Sequence, residues 1–557
     1  MAAAPTSMST AATSLPSTVR MRTAHADSRH VHPDVRHPAD DLGGSQASKQ
    51  RLKQRERRLL LVKVLIASCV LMCLVIAGAY SSAMRHSRYA HDEAADSNRC
   101  RGMDVRRPCS AAKEKAGMCE ENEVGPKEFQ TAYRGRKPLL LLQGAVEEWR
   151  KRDGWPFKLD DFLTHYGDAV VKQRAASYFQ GSRSRVTERP RTLRALLQDK
   201  EEAVARYGVV FDSIGLESDD LNVKQARMRA AFPCPQWVVD ATLCPDEWDE
   251  ILSVGVGSPL AGVPFHVHGD AWLALILGTK IWHIVEPGKL TAAVRGNWQQ
   301  PPARWNAGGN NDDGIAICEQ HAGELMYVPE SWSHQTFNAE TTIGFGRQIG
   351  WPANQSFVEH VATTTEDVLL KYQWVRMVTT QPSNVRDETL NSAIAMLESM
   401  NADMPTFFAG RSRLAQVLHR LGETDRIRAL VDEMRDIAAS LDVAEYAPSI
   451  VNIAMQAAFY FNPRSGLFGD EDGEELESAL RLAQPAADRM GKWHSAHLLS
   501  VRLTSLMKMK RVNRVLCTRL ARDLVPLHDS LGSESPVPEF FVDTLYKVSN
   551  GIFSPDS

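Results

Sequence analysis

The distribution of apolar residues changes character four times along the chain. Residues 1 to about 50 mix Ala, Ser, Thr, Pro and His with no apolar period, so disorder is expected there. Leu59 to Tyr80 is apolar apart from Lys63. At about 1.5 Å per residue it reaches about 33 Å, enough for a bilayer core, and predicts one transmembrane helix. Residues 81–122 are polar and are expected to form a stalk. From 123 to 353 the apolar runs are short, often alternating, and broken by Gly and Pro, which predicts a strand-rich domain. From 354 to 557 the spacing turns helical.

Within 123–353, Leu139 to Leu142, Ala169 to Lys172 and Val209 to Ser213 read as strands, with helices over Trp155–Tyr166 and from Thr192. Pro264 to His268 reads as a strand running into Trp272–Leu277. Gly278-Thr279 then reads as a two-residue turn into Lys280–Val285, a hairpin. Lys289 to Gly314, rich in Gly, Asn and Pro, is a long loop, and loops of that length are often functional. It carries Trp298 and Trp305. Gly323–Val328, Trp332–Asn338 and Thr341–Ile349 complete the strands. Beyond 354, apolar stripes at Leu390, Ile394, Leu397 and Met400, at Leu414, Val417, Leu418 and Leu421, and from Ile427 to Leu441 predict amphipathic helices. Two more are expected at about 474–484 and 493–509. Paired helices of this kind loosely resemble tetratricopeptide hairpins; a helical cap, a dimerisation region or a protein-binding domain is equally expected.

Charge refines this outline. The net charge of −3 with 24% charged residues is that of an ordinary soluble protein and gives no footprint for nucleic acid. The excess of Lys and Arg before the apolar segment, Lys49 to Lys63, places the N-terminus in the cytoplasm. Residues 1–58 are then a cytoplasmic tail, 59–80 a type II signal anchor, and all that follows lumenal, in the endoplasmic reticulum or Golgi. The alternative is an organelle membrane reached by a transit peptide, because the first acid is Asp27. Of nine cysteines, Cys69 and Cys73 lie in the apolar segment and seven beyond it. In an oxidising lumen pairs such as Cys109–Cys119 or Cys234–Cys244 are expected, with one cysteine left over. Asn354-Gln355-Ser356 is an N-glycosylation sequon on the same side.

The chemistry lies in two stretches. His266 and His268 stand two apart in a strand, so they leave one face together. His334 follows in Gly323-Glu324-Leu325-Met326-Tyr327-Val328-Pro329-Glu330-Ser331-Trp332-Ser333-His334. Three imidazoles on one face make a metal site. Asp270 is a second donor by parity if the strand continues through Gly269. Lys280, Trp282 and Ile284 share a face, and an inward lysine needs an anion beside it. His283 falls on the opposite face and reads as structural. Thr336 and Asn338 share the face of His334.

These motifs resemble the JmjC subgroup of the cupins. Gly323, Pro329, Ser331 where Gly is usual, His334 and Asn338 follow the distal cupin signature, and His266 and Lys280 stand where that family has its first ligand and its lysine. Lys137-Pro138, Trp155, Tyr166-Gly167-Asp168 and Phe211-Asp212-Ser213 are similar too. The resemblance spans about 123–353. It implies an α+β chain whose central domain is a double-stranded β-helix, or jelly-roll. It further implies an Fe(II)- and 2-oxoglutarate-dependent dioxygenase, with metal held by His266, His268 and His334, or with Asp270 in place of His268. Lys280, Thr336 and Asn338 would meet the co-substrate. The sequence departs from the family at His268, which occupies the usual carboxylate position, as in a lumenal JmjC subgroup with His-x-His-Gly. It departs again at Val263, where a Thr is common. Three functions therefore stay open: hydroxylation of a protein or glycan side chain in a lumenal compartment, an inactive lumenal adaptor, and a cupin metalloenzyme that needs no 2-oxoglutarate. Histone demethylation is disfavoured by the predicted membrane segment.

Overall fold

The computed structural model describes residues 99–553, apart from 152–157, 176–187, 199–207, 214–229, 247, 256–261, 291–314, 351, 381–386, 405–407, 462–472 and 510. The predicted tail and the span Leu59–Tyr80 lie outside the described residues, as do Trp155, Trp298 and Trp305. No helix among the described residues is long and apolar enough to cross a membrane.

The strands run in chain order as β1 (Cys100–Arg101), β2 (Asp104–Pro108), β3 (Glu123–Val124), β4 (Leu139–Leu141), β5 (Val170–Ala175), β6 (Glu188–Thr192), β7 (Gly208–Ser213) and β8 (Asp249–Gly255). They continue as β9 (Gly262–His266), β10 (Ala271–Leu277), β11 (Thr279–Val285), β12 (Ile315–His321), β13 (Leu325–Val328), β14 (Ser333–Asn338) and β15 (Thr342–Gln348). They form a five-stranded sheet, β1-β12-β11-β14-β9, and a ten-stranded sheet, β3-β2-β4-β13-β10-β15-β8-β7-β5-β6. Leu273, Leu275, Trp282, Ile284, Met326 and Val328 pack together between the two sheets. The other face of the larger sheet, with Trp272, Ala274, Ile276 and Tyr327, packs against Phe129, Trp149, Phe162 and Trp237 from short helices. Strand β10 is thus buried on both faces, which is why it reads as an unbroken apolar run.

Two expectations are corrected here. The turn at Gly278-Thr279 does not make a hairpin. Strand β10 pairs with β13 and β15, whereas β11 pairs with β12 and β14. The chain crosses between sheets at Gly278, whose φ of 82° suits glycine. A Cβ there would sit 2.1 Å from the Thr341 carbonyl oxygen. The second correction concerns the stalk. From Cys100 the chain is built into the sheets: β1 pairs with β12, β2 runs parallel to β4, and Cys100 is bonded to Cys318. Arg99 clasps Glu324 with both terminal nitrogens, at 3.1 and 2.6 Å. Cys109–Cys119 and Cys234–Cys244 are bonded as well, and Cys517 is the buried free thiol.

The C-terminal region is helical. Its elements are α1 (Gln355–Thr364), α2 (Val368–Thr380), α3 (Asp387–Asp403), α4 (Phe408–Leu421), α5 (Thr424–Ser440), α6 (Val443–Phe461), α7 (Glu474–Leu482), α8 (Gln484–Met490), α9 (Lys492–Leu506), α10 (Arg514–Leu531) and α11 (Glu539–Ser549). Each packs on the next. One core runs from Val358 through Met509, and a second joins α9, α10 and α11. Helix α5 begins at Thr424, and Glu423 holds the cap position without a side-chain bond. Helix α6 contains Pro448, but it kinks at Tyr446, leaving Pro448 in the first turn beyond, where proline is tolerated.

The Cys100–Cys318 bond closes 218 residues of chain. Replacing both cysteines with alanine is expected to lower unfolding stability by roughly 2–5 kcal/mol, measured by urea titration under non-reducing conditions.

Candidate metal centre

Strand β9 is an edge strand that pairs with β14 in its sheet. Pro264, which lacks a donor, is at home on an edge. The register sets His266 opposite His334, with a bulge between His334 and Thr336. Beyond His266 the strand ends, and Val267 and His268 lie in irregular backbone. His268 is nonetheless held beside the pair, because its carbonyl accepts from Ser331 N at 3.1 Å. Ser331 adopts φ 68°, a left-handed conformation that explains why glycine is usual at this place in the signature. The ring centroids lie 4.2 Å apart for His266 and His334, 4.6 Å for His268 and His334, and 5.3 Å for His266 and His268. One nitrogen from each ring comes within 4.8 Å of the other two.

The orientation of each ring is set by the backbone. His266 Nδ1 donates to the Pro264 carbonyl at 2.9 Å, His268 Nδ1 to that of Gly269 at 2.7 Å, and His334 Nδ1 to that of Trp332 at 2.9 Å. A carbonyl only accepts, so each Nδ1 carries the hydrogen and each Nε2 keeps a lone pair. Burial drives the His266 pKa down to about 3, helped by repulsion from His268. Burial lowers His334 well below the usual range, again with repulsion from its neighbours, and lowers His268. Three neutral imidazoles, oriented through Nδ1 with Nε2 presented together, are a donor set that suits a first-row transition metal. Cys109, Cys119 and Glu123 also lie close together, but both thiols are consumed by their disulfide.

Asp270 is not among the convergent donors. Gly269 N donates to the Ile349 carbonyl, and Ile349 N to that of Asp270; the segment bends there, so strand parity does not carry past Gly269. The Asp270 carboxylate faces another network. Tyr327 Oη donates to its Oδ1 at 2.7 Å, Glu330 N donates to the same oxygen at 3.0 Å, and Arg134 Nε lies 3.7 Å from Oδ2. Asp270 thereby ties the turn after β9 to the turn before β14.

The histidines open into a recess that is also lined by Lys280, Trp282, Thr336, Val263, Ser253 and Gln348. Lys280 stands opposite Asn338 in the β11–β14 register. Its Nζ donates to Asn338 Oδ1 at 2.7 Å, and Thr342 Oγ1 donates to the same oxygen at 2.8 Å. The Asn338 Nδ2 is buried with no hydrogen-bond partner. Lys280 is 2% exposed, and burial pulls its pKa down to about 7. A buried ammonium beside an amide with spare donors is a fitting seat for a carboxylate. His283 faces away, 3.0 Å from Gln335 Nε2. Ser253 and Gln348 were not anticipated. Gln348 Oε1 is buried without a partner, but nothing in a polar strand end announces that, and β8 carried no motif.

Fold and pocket together define a cupin-type jelly-roll with a histidine-lined, cation-floored recess. The chain belongs to the JmjC-domain family. It is 30% identical over 235 residues to the rat (Rattus norvegicus) JmjC domain-containing protein 8, covering 40% of this chain and 78% of that one. It is 23% identical to the mouse (Mus musculus) protein of the same name over 227 residues, again 78% of that chain. The Arabidopsis thaliana protein Lysine-specific demethylase JMJ21 shares 23% over 257 residues, 25% of its own length. No protein-family model matches. The solved structure of YcfD, a ribosomal oxygenase from Escherichia coli, aligns over 51% of this chain and 69% of that chain at a TM-score of 0.25 and 12% identity, too weak an overlay to bear on the site.

Asp270→Asn is expected to keep Co(II) affinity within about tenfold of wild type, whereas His334→Ala lowers it beyond about a hundredfold; calorimetric titration separates the two. The Lys280 ammonium is present below its folded pKa of about 7. Affinity for a dicarboxylate is therefore expected to fall as pH rises above about 7, by up to about tenfold per unit, and Lys280→Met removes that slope. For stability the sign is opposite. Between about 7 and the ordinary lysine range near 10.5 the unfolded chain binds the extra proton, so the ligand-free protein gains stability with rising pH in that window.

Proposed function

We propose that this chain is an Fe(II)- and 2-oxoglutarate-dependent dioxygenase that hydroxylates a protein or glycan side chain in a lumenal compartment. The observation that carries the reading is the meeting, in one recess, of three neutral imidazoles with a buried lysine whose hydrogen-bond partner is an uncharged amide. When bound, iron(II), dioxygen and 2-oxoglutarate supply oxidation of a C–H bond to an alcohol, with 2-oxoglutarate converted to succinate and carbon dioxide. The residues do the placing. His266, His268 and His334 would hold the metal. Lys280 and the Asn338 amide would bind the distal carboxylate. Trp282, whose Nε1 donates to Gln320 Oε1 at 2.9 Å, walls the recess beside His334. With no protein carboxylate among the donors, a dication keeps its full charge, which favours an anionic co-ligand.

Three further features favour the lumenal setting. Six cysteines are paired, as oxidising compartments allow. The sequon residue Asn354 is exposed, at the N-cap of α1 with Oδ1 accepting from Phe357 N. The predicted span Leu59–Tyr80 would anchor the chain ahead of both. That topology argues against histone demethylation. The second reading, an adaptor without catalysis, draws on His268 at the carboxylate position and on Val263, an apolar lining residue where related enzymes often have a hydroxyl.

The deciding measurement is the visible charge-transfer band of the purified protein with Fe(II) and 2-oxoglutarate under anaerobic conditions. We expect a band in the wild type, none in His334→Ala, and a weakened one in Lys280→Ala. Wild-type protein that binds iron but gives no band would favour the metalloenzyme that needs no 2-oxoglutarate; absence of both iron and band would favour the adaptor. Lumenal placement is tested separately. Protein from a eukaryotic host should lose mass on treatment with a peptide N-glycosidase, and Asn354→Gln should abolish that shift.

A further inference from the structure

Strand β9 is short, lies at the edge of its sheet, and is bonded there to β14 alone, through a bulge. Such a strand has little of its own to hold it in place. Its inward residues include His266, with His268 just beyond. Phe265 lies on the opposite face of the strand from His266, and Val267 follows just beyond the strand's end. Phe265 is 1% exposed and packs with Val368 and Leu369 of α2 and with Met400 of α3 and Met404 just after it. Val267 packs against the same cluster and against the main core of the helical region. Helix α2 is itself fixed to the smaller sheet. Buried Asp367 accepts from Leu369 N and Leu370 N at its N-terminus, and from Gly288 N just beyond β11, at 2.9 Å. The helices therefore cover the back of the strand whose front carries His266 and whose end leads into His268.

We infer that the helical region is a positioning device for the metal centre, acting through Phe265 and Val267 as positioning residues that hold His266 and His268 against His334. The inference rests on the reading of these histidines as metal ligands. Side chains that orient ligands without touching the metal change its affinity by about 10–100-fold when removed. Loosening the helical contact should act in the same range, although Leu369 and Met400 belong to a different part of the chain from the histidines. The pairing is not a general effect of stability. The core of α9, α10 and α11 is a separate cluster and should be silent at the metal.

The test uses the full chain with Leu369→Ala, the milder Val267→Ala, and Leu545→Ala in the distal cluster. Co(II) affinity, the Co(II) ligand-field spectrum, the thermal midpoint and hydrogen exchange over residues 262–270 are followed together. We expect Leu369→Ala and Val267→Ala to weaken Co(II) by about tenfold or more, to shift the ligand-field bands, and to speed exchange over 262–270. Leu545→Ala should lower the midpoint with Co(II) affinity unchanged. Wild-type Co(II) binding in Leu369→Ala and Val267→Ala, or an equal loss in Leu545→Ala, would overturn the inference. If the wild-type chain binds no Co(II), the metal reading fails, and exchange over 262–270 decides the mechanical part: faster in Leu369→Ala than in Leu545→Ala upholds it, equal rates refute it.

Discussion

The candidate site depends on one long-range constraint, the antiparallel pairing of β9 with β14 in the register that sets His266 opposite His334. A shift by one residue would send His266 outward toward the helices and Phe265 into the recess, because side chains alternate along a strand. The apolar back of β9 opposes that shift: Phe265 and Val267 fit a packed cluster of aliphatic and thioether side chains that would not accept imidazoles without partners. On its other edge β14 pairs with β11 in the register that sets Lys280 opposite Asn338, so both halves of the recess are aligned on one strand.

Burial then does the electrostatic work. Each of the four basic groups in the recess is pushed toward its neutral form, first by desolvation. For the histidines this yields donors in place of cations. For Lys280 it stores an unfavourable environment that an anion relieves. Asp270, the nearest acid by sequence, is kept out of the balance by Tyr327, Glu330 and Arg134. It serves as a strut between two turns, and the recess is left with a net appetite for negative charge.

Much of this was legible in the sequence because it is local. His266 with His268 and the inward Lys280 were read from strand parity and the Pro329-to-His334 stretch from its resemblance to the distal cupin signature; the structure brings these side chains together around one recess, with His268 placed beyond the end of β9 by its bond from Ser331 N. What failed was non-local. Gly278-Thr279 has the chemistry of a hairpin turn, but whether flanking strands share a sheet depends on β13, β14 and β15, far along the chain. Parity placed Asp270 beside the ligands only if the strand persisted through Gly269, and backbone bonds to Ile349 end that persistence. The segment from Cys100 to Val124 looked like a stalk because it has little apolar surface; it is held by parallel pairing, an ion pair and disulfides, none of which a hydropathy pattern records.

The Cys100–Cys318 bond carries a consequence for biosynthesis. A ribosome adds about 5–20 residues per second, so the 218 residues between the two cysteines take roughly 10–40 s to emerge. Throughout that interval Cys100 is within easy reach of Cys109 and Cys119, which are made almost with it. A Cys109–Cys119 bond closed within that interval would take both thiols out of competition for Cys100. A short, early-closing bond of 10 residues separation acts as a timer's guard, keeping the first strand's thiol in reserve until the strand it belongs beside exists.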